Sequence, residues 1–437
     1  MKVIKYPASI DWEVTPFCNH NCIHCYNCWR SEEDKNKDII FNKKVSASYY
    51  LDIAKILVKN HPVSVIITGG EPLSVFEKNV PAIKYLKENN IYVSMNTNIT
   101  FLTEDIAFKI KELDIPIFTS IPSCIPENCD KITKVKGSFY NIDKALKLCI
   151  KYKIPVTTNM VVTKVNVNDI DATAEYIHNL GLNYFCCTKA AFPANADKEL
   201  HKEILTYEEF SHILSKLLVL KDKYNFTIDS AWAYSLCGLC DEHIKTFGFK
   251  RRCGAGRFNF AITCDGDIKA CNVDTTIYGN IFKDSDISNA IEKMTSWQDN
   301  SYLPEDCKDC KSLYLCGGGC RLEAKNTFGD ITHLDSTANK ENIDREVTPP
   351  AIHKVIEDDL YVLNKDIIFT DEINCVRMSR RVHYEFITNE CRQFFKDNKE
   401  FSLKSFVKNL DLSSEMGEIE FSNFLDKNFI IKKGELL

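Results

Sequence analysis

Cys18-Asn19-His20-Asn21-Cys22-Ile23-His24-Cys25 places three cysteines at x3 and x2 spacing on one short loop. Three thiolates so spaced suit three irons of a cubane [4Fe–4S] cluster and leave the fourth iron open. An open iron binds a small molecule and passes it an electron. The bland alternative is a structural zinc site with His20 or His24 as fourth ligand, although zinc loops more often pair two CxxC elements.

Around this loop the chain alternates short apolar runs with amphipathic stretches. Ile10–Val14, Val63–Ile67, Ile91–Met95, Ile115–Thr119, Val156–Val162 and Asn183–Cys187 read as strands. Between the first two, Ala47, Tyr50, Leu51, Ala54, Leu57 and Val58 recur at helical spacing. Six such units predict an α/β fold, a parallel sheet curled into a partial (β/α)6 TIM-type barrel. In such barrels functional groups lie at the C-terminal ends of strands. The Cys loop follows the first strand, Gly69-Gly70-Glu71-Pro72 the second, Asn96-Thr97-Asn98 the third and Ser120 the fourth.

The CxxxCxxC loop and the Gly-Gly-Glu loop together resemble the radical S-adenosylmethionine (SAM) superfamily. The resemblance implies that Cys18, Cys22 and Cys25 hold a [4Fe–4S] cluster whose open iron chelates SAM. Reductive cleavage would then give a 5′-deoxyadenosyl radical that abstracts hydrogen, so the cofactor carries the hard chemistry. It also implies that His24 and Tyr26 flank the cofactor, and that Gly69, Gly70 and Glu71 hold the methionine ammonium. Asn98 and Ser120 would bond its ribose or carboxylate, and turn or cap roles are the plain alternative at both. Asn159 and Val161 carry a weaker signal. No residue is assigned as a general base.

The chain has 20 cysteines in 437 residues. A signal peptide and a membrane-length apolar run are not evident, so a cytoplasmic protein is expected, and there clustered cysteines bind metal or do chemistry rather than form disulfides. Cys149, at a helix-core position, reads as apolar filler. A net charge of −6 gives no reason to expect nucleic acid or a membrane surface as partner.

A second cysteine field runs Cys253-x12-Gly266-x4-Cys271, then Cys307-x2-Cys310-x5-Cys316-x3-Cys320, with Asp265-Gly266-Asp267 as a hairpin turn. Such a soft site suits zinc or iron–sulfur. The pattern resembles the SPASM domain of radical SAM enzymes that modify peptides and proteins, which carries two auxiliary [4Fe–4S] clusters. The resemblance implies Cys253, Cys271 and Cys320 for one and Cys307, Cys310 and Cys316 for the other. A fourth ligand for the first is missing at Arg257-Phe258-Asn259; Cys264, Cys237 or Cys240 would substitute, or the iron stays open. The second would be closed by Cys375, 55 residues past Cys320. The Cys237-Gly-Leu-Cys240 pair reads as metal, redox or bridge.

After Gly329, Asp335 to Arg345 reads as a linker. Leu360–Leu363 and Ile367–Phe369 then read as strands, Phe386–Phe395, Ser402–Leu410 and Met416–Lys427 as helices, and Phe429–Ile431 as a closing strand. This winged-helix-like α+β module weakly resembles PqqD-like elements that bind a leader peptide along a strand edge. The expected units are 1–230, 231–335 and 350–437.

The function expected is a radical SAM maturase of a ribosomally made peptide, with a thioether link from Cys as one product. Its partners would be a peptide or protein substrate with a leader and a low-potential donor such as flavodoxin or ferredoxin. Oxidation of Ser or Cys to formylglycine, as in sulfatase maturases, is the enzymatic alternative; a zinc-rich interaction protein is the non-catalytic one.

Overall fold

In the computed structural model, residues 4–196, 198–248, 252–283, 287–347 and 355–434 are described. Residues 1, 350 and 437, expected as limits of units, lie outside them.

Seven strands alternate with helices from the N-terminus: β1 (Ser9–Thr15), β2 (Ser64–Gly69), β3 (Tyr92–Thr97), β4 (Ile117–Ser120), β5 (Val156–Val162), β6 (Tyr184–Lys189) and β7 (Thr227–Asp229). They pair in sequence order and in parallel. The helices on this sheet are amphipathic and capped. Ser46 accepts from the Tyr49 amide to start Ala47–Lys59, whose Tyr50, Ile53, Ala54 and Leu57 are buried.

Three further strands, β8 (Asn259–Ile262), β9 (Asp267–Lys269) and β10 (Gly279–Asn280), extend the sheet beyond β1. β8 runs parallel to β1, while β9 and β10 are antiparallel to their neighbours. One continuous core runs from Ile4 to Leu322. The sheet and core therefore cross residue 230, and the cysteine-rich segment packs as part of the barrel. Gly266 makes the β8–β9 turn with φ +83°.

From Val355 to Ile430 a second core forms around Phe394, Phe406, Phe421 and Phe424. Here β11 (Tyr361–Leu363) pairs with β15 (Ile430–Lys432), and β12 (Ile368–Asp371), β13 (Val376–Arg380) and β14 (His383–Ile387) form an antiparallel sheet. The expected helix from Phe386 starts instead at Asn389, capped by Thr388. Val376-Arg-Met-Ser-Arg and His383-Tyr-Glu-Phe-Ile alternate with period two, a hairpin pattern, and Arg381 turns between them at φ 53°. Ser402 does cap Leu403–Asn409, accepting from the Ser405 amide.

This unit docks on the N-terminal ends of the barrel strands. Arg377 donates to the carbonyls of Pro7 (2.9 Å) and His61 (2.5 Å), and Glu372 accepts from the Lys5 and Tyr6 amides. No helix among the described residues is long and apolar enough to cross a membrane.

Candidate active site

The C-terminal ends of β1 to β6 open into a cavity of about 340 Å³. Cys18, His20, Cys22, His24, Cys25 and Tyr26 line one side, with Gly69, Gly70, Asn96, Thr97, Asn98, Phe118 and Ser120 beside them. Val161, Thr188, Lys189, Phe192, Trp232 and Val273 complete the wall.

The Cys loop is held at both ends. Its backbone is bonded to the end of the helix Pro126–Thr133, through Asn21 N to Thr133 O and Ile23 N to Ile132 O, both 3.0 Å. The Gly-Gly-Glu loop clamps the other side, with Gly70 N on Thr15 O and Glu71 N on Phe17 O, both 2.6 Å. A Cβ on Gly70 would overlap the Phe17 carbonyl and one on Gly69 the Thr15 carbonyl. The glycines are needed because one backbone lies directly on another.

Glu71 is not where the sequence places it. Its carboxylate is fully buried and absent from the cavity wall. Oε1 accepts from Leu73 N (2.9 Å) and Thr97 Oγ1 (2.6 Å), and Oε2 from Asn98 N (2.7 Å). Three donors engage it, so it ties the ends of β2 and β3 together instead of facing a ligand. Burial pushes its carboxyl up to about 7 against the pull of those bonds.

Asn98 lines the cavity but spends its amide on the Cys loop, donating to Asn19 Oδ1 (3.0 Å) and toward Cys18 Sγ (3.6 Å). His20 N also reaches Cys18 Sγ at 3.4 Å. Both donors favour a thiolate there, although burial, with Glu71 next, pushes the metal-free thiol up to about 12. Burial lowers His20 and His24 to about 4, so both are neutral rings. Tyr26 is fixed by its hydroxyl donating to Glu13 Oε1 at 3.0 Å. Ser120 lines the wall at the end of β4; Asn159 turns away and accepts from Thr188 Oγ1 at 2.8 Å.

Lys189 escaped the sequence reading. It closes β6 on the cavity wall, 2% exposed, 3.7 Å from the buried Glu323 of the helix Arg321–Phe328. A cationic residue ending an apolar strand was the available signal.

In the second cysteine field, Cys253, Cys271 and Cys320 lie within electrostatic reach of one another, all raised first by burial. Arg252, Arg257 and Arg321 offset this at Cys253. Cys307, Cys310 and Cys316 form a second set, and Cys237 stands among them. Cys375 is not brought there. It is buried before β13, beside Arg377, in the unit docked at the opposite ends of the strands. Cys264 also stands apart, by Tyr49 and Asp265. The expected linker is not loose: Asp335 and Thr337 are buried.

Among the described residues, no three Cys, His, Asp or Glu side chains converge on one metal-ion position.

Residues 12–177 match the family model described as Radical SAM superfamily. An uncharacterized protein of Methanocaldococcus jannaschii is 31% identical over 214 residues, 47% of this chain and 69% of that protein. The chain belongs to the radical SAM superfamily. It is accordingly an enzyme of a family that uses SAM with a [4Fe–4S] cluster, and the thiol-lined cavity fits that pair. Among other relatives, the Fe-coproporphyrin III synthase of Methanosarcina barkeri is 22% identical, covering 75% of this chain and 86% of that protein. Mycofactocin maturase MftC of Mycolicibacterium smegmatis is 25% identical, covering 72% and 78%. The radical SAM fold is shared with anSMEcpe with bound AdoMet (TM-score 0.58, 20% identity, 76% of this chain and 90% of that one). It is shared too with Streptococcus suis SuiB bound to precursor peptide SuiA (0.58, 16%, 77% and 76%).

Proposed function

We propose that this enzyme modifies a ribosomally made peptide, with Cys18, Cys22 and Cys25 holding the SAM cluster and two auxiliary [4Fe–4S] clusters in the second cysteine field. One observation carries the reading: the second cysteine field folds onto the barrel itself, β8 against β1, and supplies Val273 to the cavity wall. Cys271, two residues before Val273, is thus the thiol of that field nearest in sequence to the cavity wall. Similarity to a maturase and the fold shared with peptide-bound SuiB support a peptide as substrate.

When bound, SAM and its cluster supply one-electron chemistry that ends in hydrogen abstraction from the substrate. The chain's part is positioning. The clamp of Gly69 and Gly70 and the side-chain amide of Asn98 fix the Cys loop, Tyr26 and Ser120 flank the cofactor, and Phe118, Phe192 and Trp232 make an apolar stretch of the wall. Lys189, paired with Glu323, gives that wall one positive charge for a substrate carboxylate or carbonyl.

The C-terminal unit is proposed as the leader site. β14 pairs with β13 alone among the described strands, and Lys427 reaches its Tyr384 carbonyl at 3.3 Å. A groove of about 500 Å³ beside it is lined by Glu385, Phe386, Glu390, Leu410, Leu412 and Glu420. A groove with apolar and acidic lining suits a basic peptide segment with apolar side chains. A flavodoxin or ferredoxin is the proposed electron donor, and the thioether the proposed product.

Incubation of the anaerobically reconstituted enzyme with SAM, reductant and short Cys-containing peptides drawn from small reading frames neighbouring its gene tests this. The expected result is 5′-deoxyadenosine with loss of two hydrogens from a Cys-containing peptide. 5′-Deoxyadenosine formation with the peptide unchanged would refute the peptide reading.

A further inference from the structure

Cys237 lies outside the run Cys307 to Cys320, on the short turn Leu236–Gly238 that follows β7. That turn is seated on Cys316. Leu236 N donates to Cys316 Sγ at 3.3 Å, and the same sulfur lies 3.9 Å from the Tyr234 carbonyl. A buried carboxylate fastens the two segments. Asp335 Oδ1 accepts from Ser235 Oγ (3.0 Å) and from Thr337 N and Oγ1, while Oδ2 accepts from Cys320 N (2.8 Å). Ser235 N in turn donates to Thr337 Oγ1 at 3.0 Å, and Gly238 packs so tightly on the Thr337 carbonyl that no Cβ fits. Cys237 has Cys316 and Cys310 as electrostatic neighbours, and Cys307 has Cys316, Cys237 and Cys310. Of the other cysteines considered as ligands, Cys240 is exposed, Cys264 lies by Tyr49, and Cys375 belongs to the C-terminal unit.

We infer that Cys237 is the fourth thiolate of the set Cys307, Cys310 and Cys316, closing a four-cysteine iron–sulfur site with a ligand from the turn after the barrel. This rests on the reading that the second cysteine field holds auxiliary clusters. A four-thiolate cluster has no open iron, so this site passes electrons and does not bind substrate. The set Cys253, Cys271 and Cys320 keeps three thiolates and is the one with an iron to offer.

The test uses full-length protein with Cys18, Cys22 and Cys25 changed to Ala, reconstituted without oxygen. Iron, acid-labile sulfide and the EPR spectrum after dithionite reduction are read in that background and with Cys237→Ala, Cys310→Ala or Cys240→Ala added. The background should hold about 8 irons in two cubanes. Cys237→Ala and Cys310→Ala should each lose or alter the same one of the two signals, and Cys240→Ala should match the background. Cys237→Ser should keep that cluster with shifted g values, and the unaltered second signal reports that the fold is intact. A Cys237→Ala spectrum identical to the background, with Cys310→Ala altered, overturns the ligand assignment. No change in either variant shows that no cluster sits there, which overturns the inference together with the reading beneath it.

Discussion

Lys269 Nζ stands 3.2 Å from Glu13 Oε1, the same oxygen that accepts the Tyr26 hydroxyl at 3.0 Å. Lys269 comes from the β9 strand of the cysteine-rich segment, Glu13 from β1, and Tyr26 lines the cavity. One nearly buried ion pair therefore links the added segment to the cofactor wall. Removing the cation leaves a carboxylate desolvated, at about 3 kcal/mol. Lys269→Met should lower stability by about that amount and weaken SAM binding up to about tenfold, the equivalent of 1.4 kcal/mol. Chemical denaturation and equilibrium dialysis check the two effects separately.

Gly70→Ala should damage the cluster loop with the SAM-facing side chains unchanged. The added Cβ would overlap the Phe17 carbonyl, a backbone atom that moves only if the Cys loop moves. With the auxiliary cysteines replaced, iron bound by this variant should fall well below the roughly 4 per chain of the parent. Undiminished iron would show that the loop tolerates the shift.

Glu71 gives a pH signature. Its folded carboxyl titrates at about 7 against an ordinary 4.5. The folded state thus binds the proton more tightly than the unfolded one. The stability this contributes is complete below pH 4.5 and is lost as pH rises through about 7. The loss amounts to about 3 kcal/mol. In Glu71→Gln, less stable because its NH2 meets a donor, that fall between pH 4.5 and 7 should be absent. Urea midpoints of metal-free protein across this range measure the difference.

Arg377 should hold the C-terminal unit in place. Its guanidinium is buried, engages the Pro7 and His61 carbonyls, and lies 3.5 Å from Glu372. Arg377→Met keeps the volume but removes both bonds. The unit has its own core, so it should stay folded while undocking, and proteolytic release of the unit from the barrel should quicken several-fold with cleavage inside the barrel unchanged.

Much of the barrel was legible because local pattern and strand-end chemistry coincide: apolar runs give the strands, and Cys18, Gly69, Asn98 and Ser120 fall just where they end. What stayed hidden is long-range. Nothing near Glu71 shows that Thr97 and Asn98 engage its oxygens, and nothing near Cys375 shows which end of the barrel its unit covers. The pairing of β8 with β1 joins residues about 250 apart in sequence and has no local signal at all. The hairpin Val376–Ile387 was missed although its alternation has period two, because the phenylalanines that follow at helical spacing drew the helix boundary forward.

Lys189 and Glu323 join the cavity wall to the cysteine-rich segment, 3.7 Å apart and both almost wholly buried. Glu323 also accepts from Ser336 N and Thr327 Oγ1, so it is anchored whether or not the lysine is present. Lys189→Met then leaves a buried, unpaired carboxylate, expected to cost about 3 to 5 kcal/mol. Adding Glu323→Gln should recover part of that stability, because the buried charge is gone. The pair's role in substrate placement is read differently. If Lys189 orients substrate, the double variant should still cleave SAM while product per 5′-deoxyadenosine falls about tenfold or more. A merely structural pair would leave that ratio at the parent value once stability is restored.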